Sequence, residues 1–250
     1  MAKILVVANW KMNPQTWREA KKLFEATRKM TGKMKNISVV LAPPAIYLRP
    51  LAKDMRGNRI AFAVQNAHWE PSGAHTGELS MRQAKDAGAS YVLVGHAERR
   101  EMGETNEETR EKVAASLKEN LTPIFCVGEK ARTSDAAYLE TVAQQLRIGL
   151  ADVTSAKVSR VIIAYEPLWA IGAEHAMRPH DMHEMTIFIR KTIVDAHGPV
   201  GHKVKILYGG SVDEKNADAM LQGGDVHGLL VGRASIDLRG FAEILRAMGV

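Results

Sequence analysis

Four residues with reactive or polar side chains stand where short apolar runs end, and together they suit proton transfer. Glu166 ends the run "VIIAYE", His96 ends "YVLVGH", and Asn9 and Lys11 follow "ILVVA". A carboxylate can remove a carbon-bound proton, a neutral imidazole can polarise a carbonyl oxygen, and an ammonium can stabilise the resulting enediolate. The set therefore indicates proton abstraction next to a carbonyl group.

Two glycine-containing turns end two further apolar runs and indicate a phosphate site. Tyr208–Ser211 reads "YGGS" and Val231–Arg233 reads "VGR". Backbone N–H groups in such turns can bind phosphate oxygens, and a helix that begins after the second turn adds its dipole. We expect no metal ion and no organic cofactor, because none of these residues requires one.

The sequence lacks the motifs of several other enzyme classes. It contains no P-loop, no G-x-S-x-G and no H-E-x-x-H, and the H-x-E at His96–Glu98 has no P-C-x-x-C to complete a deaminase site. His180 and His183 could share one face at the start of a helix, but without a further ligand motif they fit a solvated face better than a metal site.

Eight apolar runs rich in Val, Ile and Leu alternate with helical patterns along the chain. Near-continuous apolar runs are typical of strands that are buried on both faces. The predicted strands are Ile4–Trp10, Ile37–Pro43, Ile60–Asn66, Tyr91–His96, Thr122–Gly128, Arg160–Glu166, Lys203–Gly209 and Gly228–Arg233. The predicted helices include Pro14–Met30, a helix opened by the capping box Thr105–Glu108 that runs to Asn120, Asp135–Leu150, and a helix from Pro179 to about Ala196.

This alternation predicts an α/β fold with parallel strands, and eight units in 250 residues have the size of a single-domain (β/α)₈ barrel over residues 1–250. A doubly wound open sheet is the alternative, which is weakened because no G-x-G-x-x-G follows the first strand. In such barrels the active site lies at the carboxyl ends of the strands, which is where the reactive residues stand.

The composition limits the partners and the location of the protein. The net charge is +6, but the basic residues are scattered, without the arms or aromatic patterns of nucleic-acid binders. The apolar runs are too short to span a membrane. A single cysteine, Cys126, excludes an internal disulfide and fits a reducing, cytoplasmic location; we interpret it as a small buried hydrophobic residue.

Eight segments, in order and spacing, resemble the triosephosphate isomerase family over essentially the whole chain. They read "ANWKMN", "QNAHWEPSGAHTGELS", "VLVGHAERR", "ETNEE", "PIFCVGE", "AYEPLWAIG", "LYGGSV" and "LLVGRAS". The resemblance implies a TIM barrel and a cofactor-independent isomerase of glycolysis and gluconeogenesis. Such an enzyme interconverts dihydroxyacetone phosphate and D-glyceraldehyde 3-phosphate.

The resemblance also implies roles for the site residues. Glu166 is the base that shuttles a proton between two carbons, and His96 moves protons between the two oxygens. Lys11, with Asn9 beside it, is the cation next to the enediolate and the phosphate, and Glu98 orients this lysine. The backbone amides that hold the phosphate belong to Gly172, Ser211, Gly232 and Arg233.

A closing lid and a dimer arm follow from the same resemblance. The lid runs from position 167 to 177, with Tyr208 and Ser211 as its latch partners. Its named positions are Pro167, Trp169, Ala170, Ile171, Ala173 and Glu174. The loop Gln65–Glu78 resembles a dimer arm whose Thr76 enters the neighbouring subunit, so we expect a homodimer.

The chain departs from the family pattern at several of these positions. Ala97 stands where a serine is usual, Glu174, His175 and Met177 alter the lid, and Arg233 replaces the second glycine of "VGG". The Arg233 guanidinium either adds a charge-assisted bond to the phosphate or turns outward. We expect catalysis to persist with altered lid closure.

Three other functions stay open at this point. The protein could act on a longer ketose phosphate, such as an erythrulose phosphate, because the altered positions lie at the lid and the phosphate end. It could be a sugar-phosphate binder without activity, although a binder has no need of a base. A nucleic-acid binder fits least.

Overall fold

The computed structural model describes residues 3–32, 34–55, 57, 60–132, 136–170 and 177–248. Eight parallel strands form a closed barrel in which each strand pairs with the next and the first pairs with the last. The strands are β1 (Ile4–Asn9), β2 (Ile37–Ala42), β3 (Ile60–Val64), β4 (Tyr91–Val94), β5 (Thr122–Val127), β6 (Ile162–Tyr165), β7 (Lys205–Tyr208) and β8 (Gly228–Val231). The predicted (β/α)₈ barrel is confirmed.

The apolar runs supply both faces of the barrel wall. One cluster of buried residues includes Leu5, Val40 and Ile124, and a larger one, which includes Val6 and Val39, also takes in helix residues. Residues that neighbour each other in a strand therefore belong to different cores, as expected when side chains alternate between two buried faces. Cys126 is fully buried in the first of these clusters.

The helices connect successive strands and carry the signals that the sequence predicted. They are α1 (Trp17–Thr31), α2 (Ala45–Asp54), α3 (Met81–Asp86), α4 (Ala97–Glu101), α5 (Asn106–Lys118), α6 (Ala137–Gly149), α7 (Ser155–Val158), α8 (Pro179–His197), α9 (Ala217–Gly223) and α10 (Leu238–Met248). The capping box at Thr105 and Glu108 is present, and Pro179 opens α8. Among the described residues, no helix has the length and apolar character needed to cross a membrane.

Several predicted boundaries were wrong. Helix α1 begins at Trp17 instead of Pro14, because Thr16 caps it in a reciprocal pair with Glu19. The predicted strands extend one or two residues too far at their carboxyl ends. Those last residues, among them His96 and Glu166, lie beyond the strand ends at the rim of the barrel, although the Glu166 backbone N–H still donates to the Val127 carbonyl at 2.8 Å.

Candidate active site

A cavity of about 390 Å³ opens at the rim formed by the carboxyl ends of the strands. The structure brings together around it the reactive residues that the sequence predicted from distant parts of the chain. The predicted site residues that line it are Asn9, Lys11, His96, Glu98, Glu166, Ser211, Gly232 and Arg233. The site is thus assembled by the barrel rather than by any one local motif.

Glu166 is a buried carboxylate that faces the cavity from the end of β6. Its side chain is 3% exposed, and its Oε2 accepts the Ala97 backbone N–H at 2.9 Å. Its Oε1 lies 3.2 Å from Nε2 of His96. A methyl group added at Gly209 would stand 3.0 Å from Cγ of Glu166, so the carboxylate is closely packed from behind. These contacts hold the carboxylate at the edge of the cavity.

His96 is held in one tautomer by the start of α4. It occupies the N-cap of this helix, and its Nδ1 accepts the Glu98 backbone N–H at 3.2 Å. Because Nδ1 is an acceptor, we assign the ring proton to Nε2, which lies 3.2 Å from Oε1 of Glu166 and 3.3 Å from the side-chain nitrogen of Asn9. A neutral imidazole with this proton can donate a hydrogen bond to an oxygen in the cavity.

Lys11 has a strained backbone whose polar groups are all engaged. Its φ is 53°, in the left-handed region, which costs a non-glycine residue about 1–2 kcal/mol. The Asn9 side-chain oxygen accepts the Lys11 N–H at 3.0 Å, and Gln65 Nε2 donates to the Lys11 carbonyl at 2.8 Å. The ammonium forms an ion pair with Glu98 at 2.5 Å. These contacts aim the ammonium at the cavity and offset the strain.

The two glycine turns form the far wall of the cavity. The Asn216 side-chain amide donates to the Ser211 carbonyl at 2.9 Å and fixes the first turn. In the second turn, a Cβ at Gly232 would lie 3.2 Å from Cε of Lys11, so the bare backbone passes directly beside the lysine. This wall offers backbone N–H groups next to a cation, as an anion site requires.

The segment after Glu166 is tied to the barrel by a buried carboxylate. Trp169 and Ala170 lie in a short 3₁₀ helix, Leu168–Ala170, that follows Pro167. The Trp169 indole donates to Oε1 of Glu129 at 2.8 Å, and the Tyr165 hydroxyl donates to both carboxylate oxygens of Glu129, at 2.8 and 3.0 Å. The predicted lid positions Ile171, Gly172, Ala173 and Glu174, and His175, lie outside the described residues.

The end of the predicted lid segment returns to the barrel close to Tyr208. Met177 is buried, and Tyr208 is fully buried beneath the first glycine turn. Burial raises the pKa of Tyr208 to about 12. Among the described residues, the Tyr208 hydroxyl has no hydrogen-bond partner of good geometry. The nearby Met177 backbone lowers the Tyr208 pKa and so offsets part of the rise that burial causes.

Comparison with known proteins identifies the family. The family model described as triosephosphate isomerase matches residues 4–248. The protein named triosephosphate isomerase from Endomicrobium trichonymphae is 38% identical over 98% of this chain and 99% of its own length. The protein of that name from Lawsonia intracellularis is 38% identical over 98% of this chain and 98% of its own length. The protein of that name from Marinobacter nauticus is 40% identical over 99% of this chain and 98% of its own length. The chain belongs to the triosephosphate isomerase family.

Among the departures from the pattern of the triosephosphate isomerase family, Ala97 has a visible consequence. The backbone N–H of Ala97 holds the Glu166 carboxylate, where the usual serine would offer a hydroxyl as well. Arg233 is exposed at the rim of the cavity, at the start of the 3₁₀ helix Arg233–Ile236.

Two residues with evident roles in the site geometry were missed by sequence reasoning. Gln65 follows β3 and binds both Asn9 and the Lys11 carbonyl, while Glu129 follows β5 and anchors Trp169. Both are polar residues within two positions of a strand end. The rule that selected His96 and Glu166 would have found them if it had been applied to every strand.

At the start of α8, His180 groups with two carboxylates and not with His183, the partner that the sequence suggested. His180 lies near Asp181 and Glu184, with ligand atoms within 4.8 Å of one another. The Asp181 carboxylate is already bound by the Arg178 guanidinium at 2.8 and 2.9 Å, which lowers the pKa of Asp181. Of the described residues in this group, only the Glu184 carboxylate and the exposed His180 imidazole remain for an ion.

Proposed function

We propose that Glu166 and His96 interconvert dihydroxyacetone phosphate and D-glyceraldehyde 3-phosphate through an enediolate, in glycolysis and gluconeogenesis. The observation that carries the proposal is the arrangement of a buried carboxylate, an imidazole of defined tautomer 3.2 Å away, and an ammonium, all facing one cavity. Isomerase activity on a sugar phosphate is the activity of the family to which the chain belongs.

In the proposed mechanism, Glu166 removes the proton from the carbon next to the carbonyl group. The C–H electron pair moves into a new C=C bond, and the carbonyl π electrons move onto oxygen. The Nε2–H of His96 donates to that oxygen, and Lys11 stabilises its negative charge. Return of the proton from Glu166 to the adjacent carbon, with proton exchange between the two oxygens through His96, completes the isomerisation. No electrons leave the substrate.

The neighbouring residues have supporting roles in the proposal. Asn9 and Glu98 position Lys11, and the backbone amides of Ser211, Gly232 and Arg233, with Gly172 from the lid, bind the phosphate. Closure of the lid segment would exclude water from the enediolate and so suppress loss of phosphate. The Glu129 anchor supports this role, because it holds the first turn of the lid to the same strand ends as Glu166.

The proposal includes a homodimer made through the arm Gln65–Glu78. Met102, which lines a surface pocket together with His75 and Thr76 of the arm, is 78% exposed, and Met12, next to Lys11, is 84% exposed. Stacking of His68 on Trp69 and His75, at 4.0 and 4.1 Å, orders the arm and leaves Thr76 exposed. A partner that covers these side chains would remove them from water.

We also propose one domain over residues 1–250 and a cytoplasmic location. Pairing of β1 with β8 joins the two ends of the chain in one sheet, which supports a single domain. The lone Cys126 is fully buried and unpaired, which fits a reducing compartment.

A coupled assay run in both directions tests the proposal. Wild-type protein should convert each triose phosphate into the other, and Glu166→Asp should lower kcat by at least about a hundredfold, because it withdraws the carboxylate by about 1 Å. Glu25→Asp, an exposed glutamate on α1, is the matched control and should leave kcat unchanged. No turnover by wild type, or equal turnover by both variants, would contradict the proposal. An erythrulose phosphate assayed in parallel tests the longer substrate.

A further inference from the structure

The cavity has an excess of negative charge, which is unfavourable for an anionic substrate. Among its described lining residues, three carboxylates (Glu98, Glu101 and Glu166) face two cations, Lys11 and Arg233. The ammonium of Lys11 is already paired with Glu98 at 2.5 Å. A phosphate dianion that relied on Lys11 alone would therefore meet little net attraction.

Arg233 is a cation at this rim that has no partner among the residues that the structure describes. Its guanidinium forms no ion pair and no hydrogen bond with any described residue, whereas that of Arg100 binds the Gly95 carbonyl and Asn106. The side chain is exposed and lines the cavity. A guanidinium that none of the described residues binds can bind an anion that arrives at the mouth of the pocket.

The chain places Arg233 next to the part of the backbone that passes beside Lys11. It follows Gly232, whose backbone passes so close to Lys11 that an added Cβ would lie 3.7 Å from the ammonium nitrogen. Arg233 and Lys11 therefore line the same wall of the cavity, where both charges can contribute to the binding of one anion. A guanidinium also offers a fork of donors that matches two phosphate oxygens.

We propose that the Arg233 side chain is a substrate-specificity residue that binds the phosphate group of the substrate. This assignment rests on the proposed function, and it adds to that function a preference of the same site for substrates with a dianionic phosphate group. The guanidinium adds its charge to that of Lys11, whose ammonium is shared with Glu98. Because it contacts the phosphate and not the reacting carbons, it stabilises ground state and transition state alike, and its loss raises KM more than it lowers kcat.

The test compares Arg233→Gln, which removes the charge at similar size, with Arg233→Lys, which keeps the charge without the fork. Arg246→Gln is the matched control, because Arg246 is exposed in the last turn of α10, at the far end of the barrel. At low salt, Arg233→Gln should raise KM for the triose phosphates and the Kd for inorganic phosphate about three- to tenfold, with kcat within about twofold of wild type. Arg233→Lys should recover part of the loss, and the control should match wild type.

Two further measurements separate this proposal from the isomerase proposal. Glyceraldehyde, which lacks the phosphate, should be turned over equally by wild type and Arg233→Gln, and the Kd effect should shrink at high salt because the side chain is exposed. Equal Kd for inorganic phosphate in wild type and Arg233→Gln would show that the guanidinium points outward and would overturn the proposal. The Kd for inorganic phosphate is measured by calorimetry and does not depend on turnover. If the wild type binds phosphate through Arg233 but is inactive, the result contradicts the isomerase proposal and leaves the Arg233 proposal intact.

Discussion

The hydrogen bond from Trp169 to Glu129 predicts a measurable coupling between the lid hinge and catalysis. Replacing Trp169 with phenylalanine removes the indole donor, which lies 2.8 Å from the carboxylate, and keeps an aromatic ring. A hydrogen bond to a charged group contributes about 1.5–3 kcal/mol. In the Trp169→Phe variant, Glu129 keeps its contacts with the Tyr165 hydroxyl and its ion pair with Arg132 at 3.4 Å. The free energy lost should therefore lie near the lower end of this range, about 1.5 kcal/mol.

A hinge that is less well anchored should spend less time in the geometry that excludes water from the enediolate. A loss of about 1.5 kcal/mol corresponds to about a tenfold fall in kcat/KM for the triose phosphates. The assay is a double-mutant cycle of Trp169→Phe and Glu129→Gln, read in kcat/KM and in the free energy of unfolding. Tyr165→Phe is the control, because it removes a donor to the same carboxylate from β6 and not from the hinge.

The cycle should give a coupling energy of about 1–2 kcal/mol between Trp169 and Glu129 in kcat/KM. The Tyr165→Phe variant should lose stability but retain most of its kcat/KM. If the effects of Trp169→Phe and Glu129→Gln simply add, to within about 0.3 kcal/mol, the hinge anchor has no catalytic role and the reasoning is refuted.

Three further predictions follow from particular contacts. Gly209→Ala should lower kcat about ten- to a hundredfold without unfolding the protein, because the new methyl group would displace the Glu166 side chain; unchanged kcat would mean that this packing does not position the base. Burial lowers the pKa of His227, so the unfolded state binds more protons than the folded state below about pH 6.5, and the free energy of unfolding should fall as pH is lowered from 7 to 5. His227→Asn keeps an acceptor for the Ile206 N–H and should flatten this slope in urea titrations, whereas an unchanged slope would assign it to other groups. Thr76→Arg should convert a dimer to monomers by light scattering and lower kcat, and a wild type that is monomeric at micromolar concentration would exclude the dimer.

The fold was predictable because each signal in the sequence is local and repeated. Eight apolar runs and helix signals such as the capping box at Thr105 agree with one another, and only one closed arrangement accommodates them. The errors lie at boundaries. His96 and Glu166 continue an apolar run in sequence, yet both strands end before them, and their side chains contact each other across the rim while Glu166 accepts the Ala97 N–H at the start of α4.

The members of the site were predictable by type, but their mutual geometry was not. Nothing in the segment around Lys11 reveals its left-handed backbone, because that conformation depends on Asn9 and on Gln65, a residue 54 positions away in the chain. The Ala97 contact was missed for a similar reason. The sequence shows the loss of a hydroxyl, whereas the structure shows that a backbone N–H, invisible to any comparison of side chains, already holds the base.

The most direct test of Glu166 as the base is isomerisation of dihydroxyacetone phosphate in D₂O. The product should contain deuterium at C2, because the proton held by Glu166 exchanges with solvent before it returns to carbon. Glu166→Gln should abolish both turnover and deuterium incorporation while the folded state persists. Product formed by wild type without any deuterium, as direct hydride migration between the carbons would give, or incorporation that survives Glu166→Gln, would contradict the account.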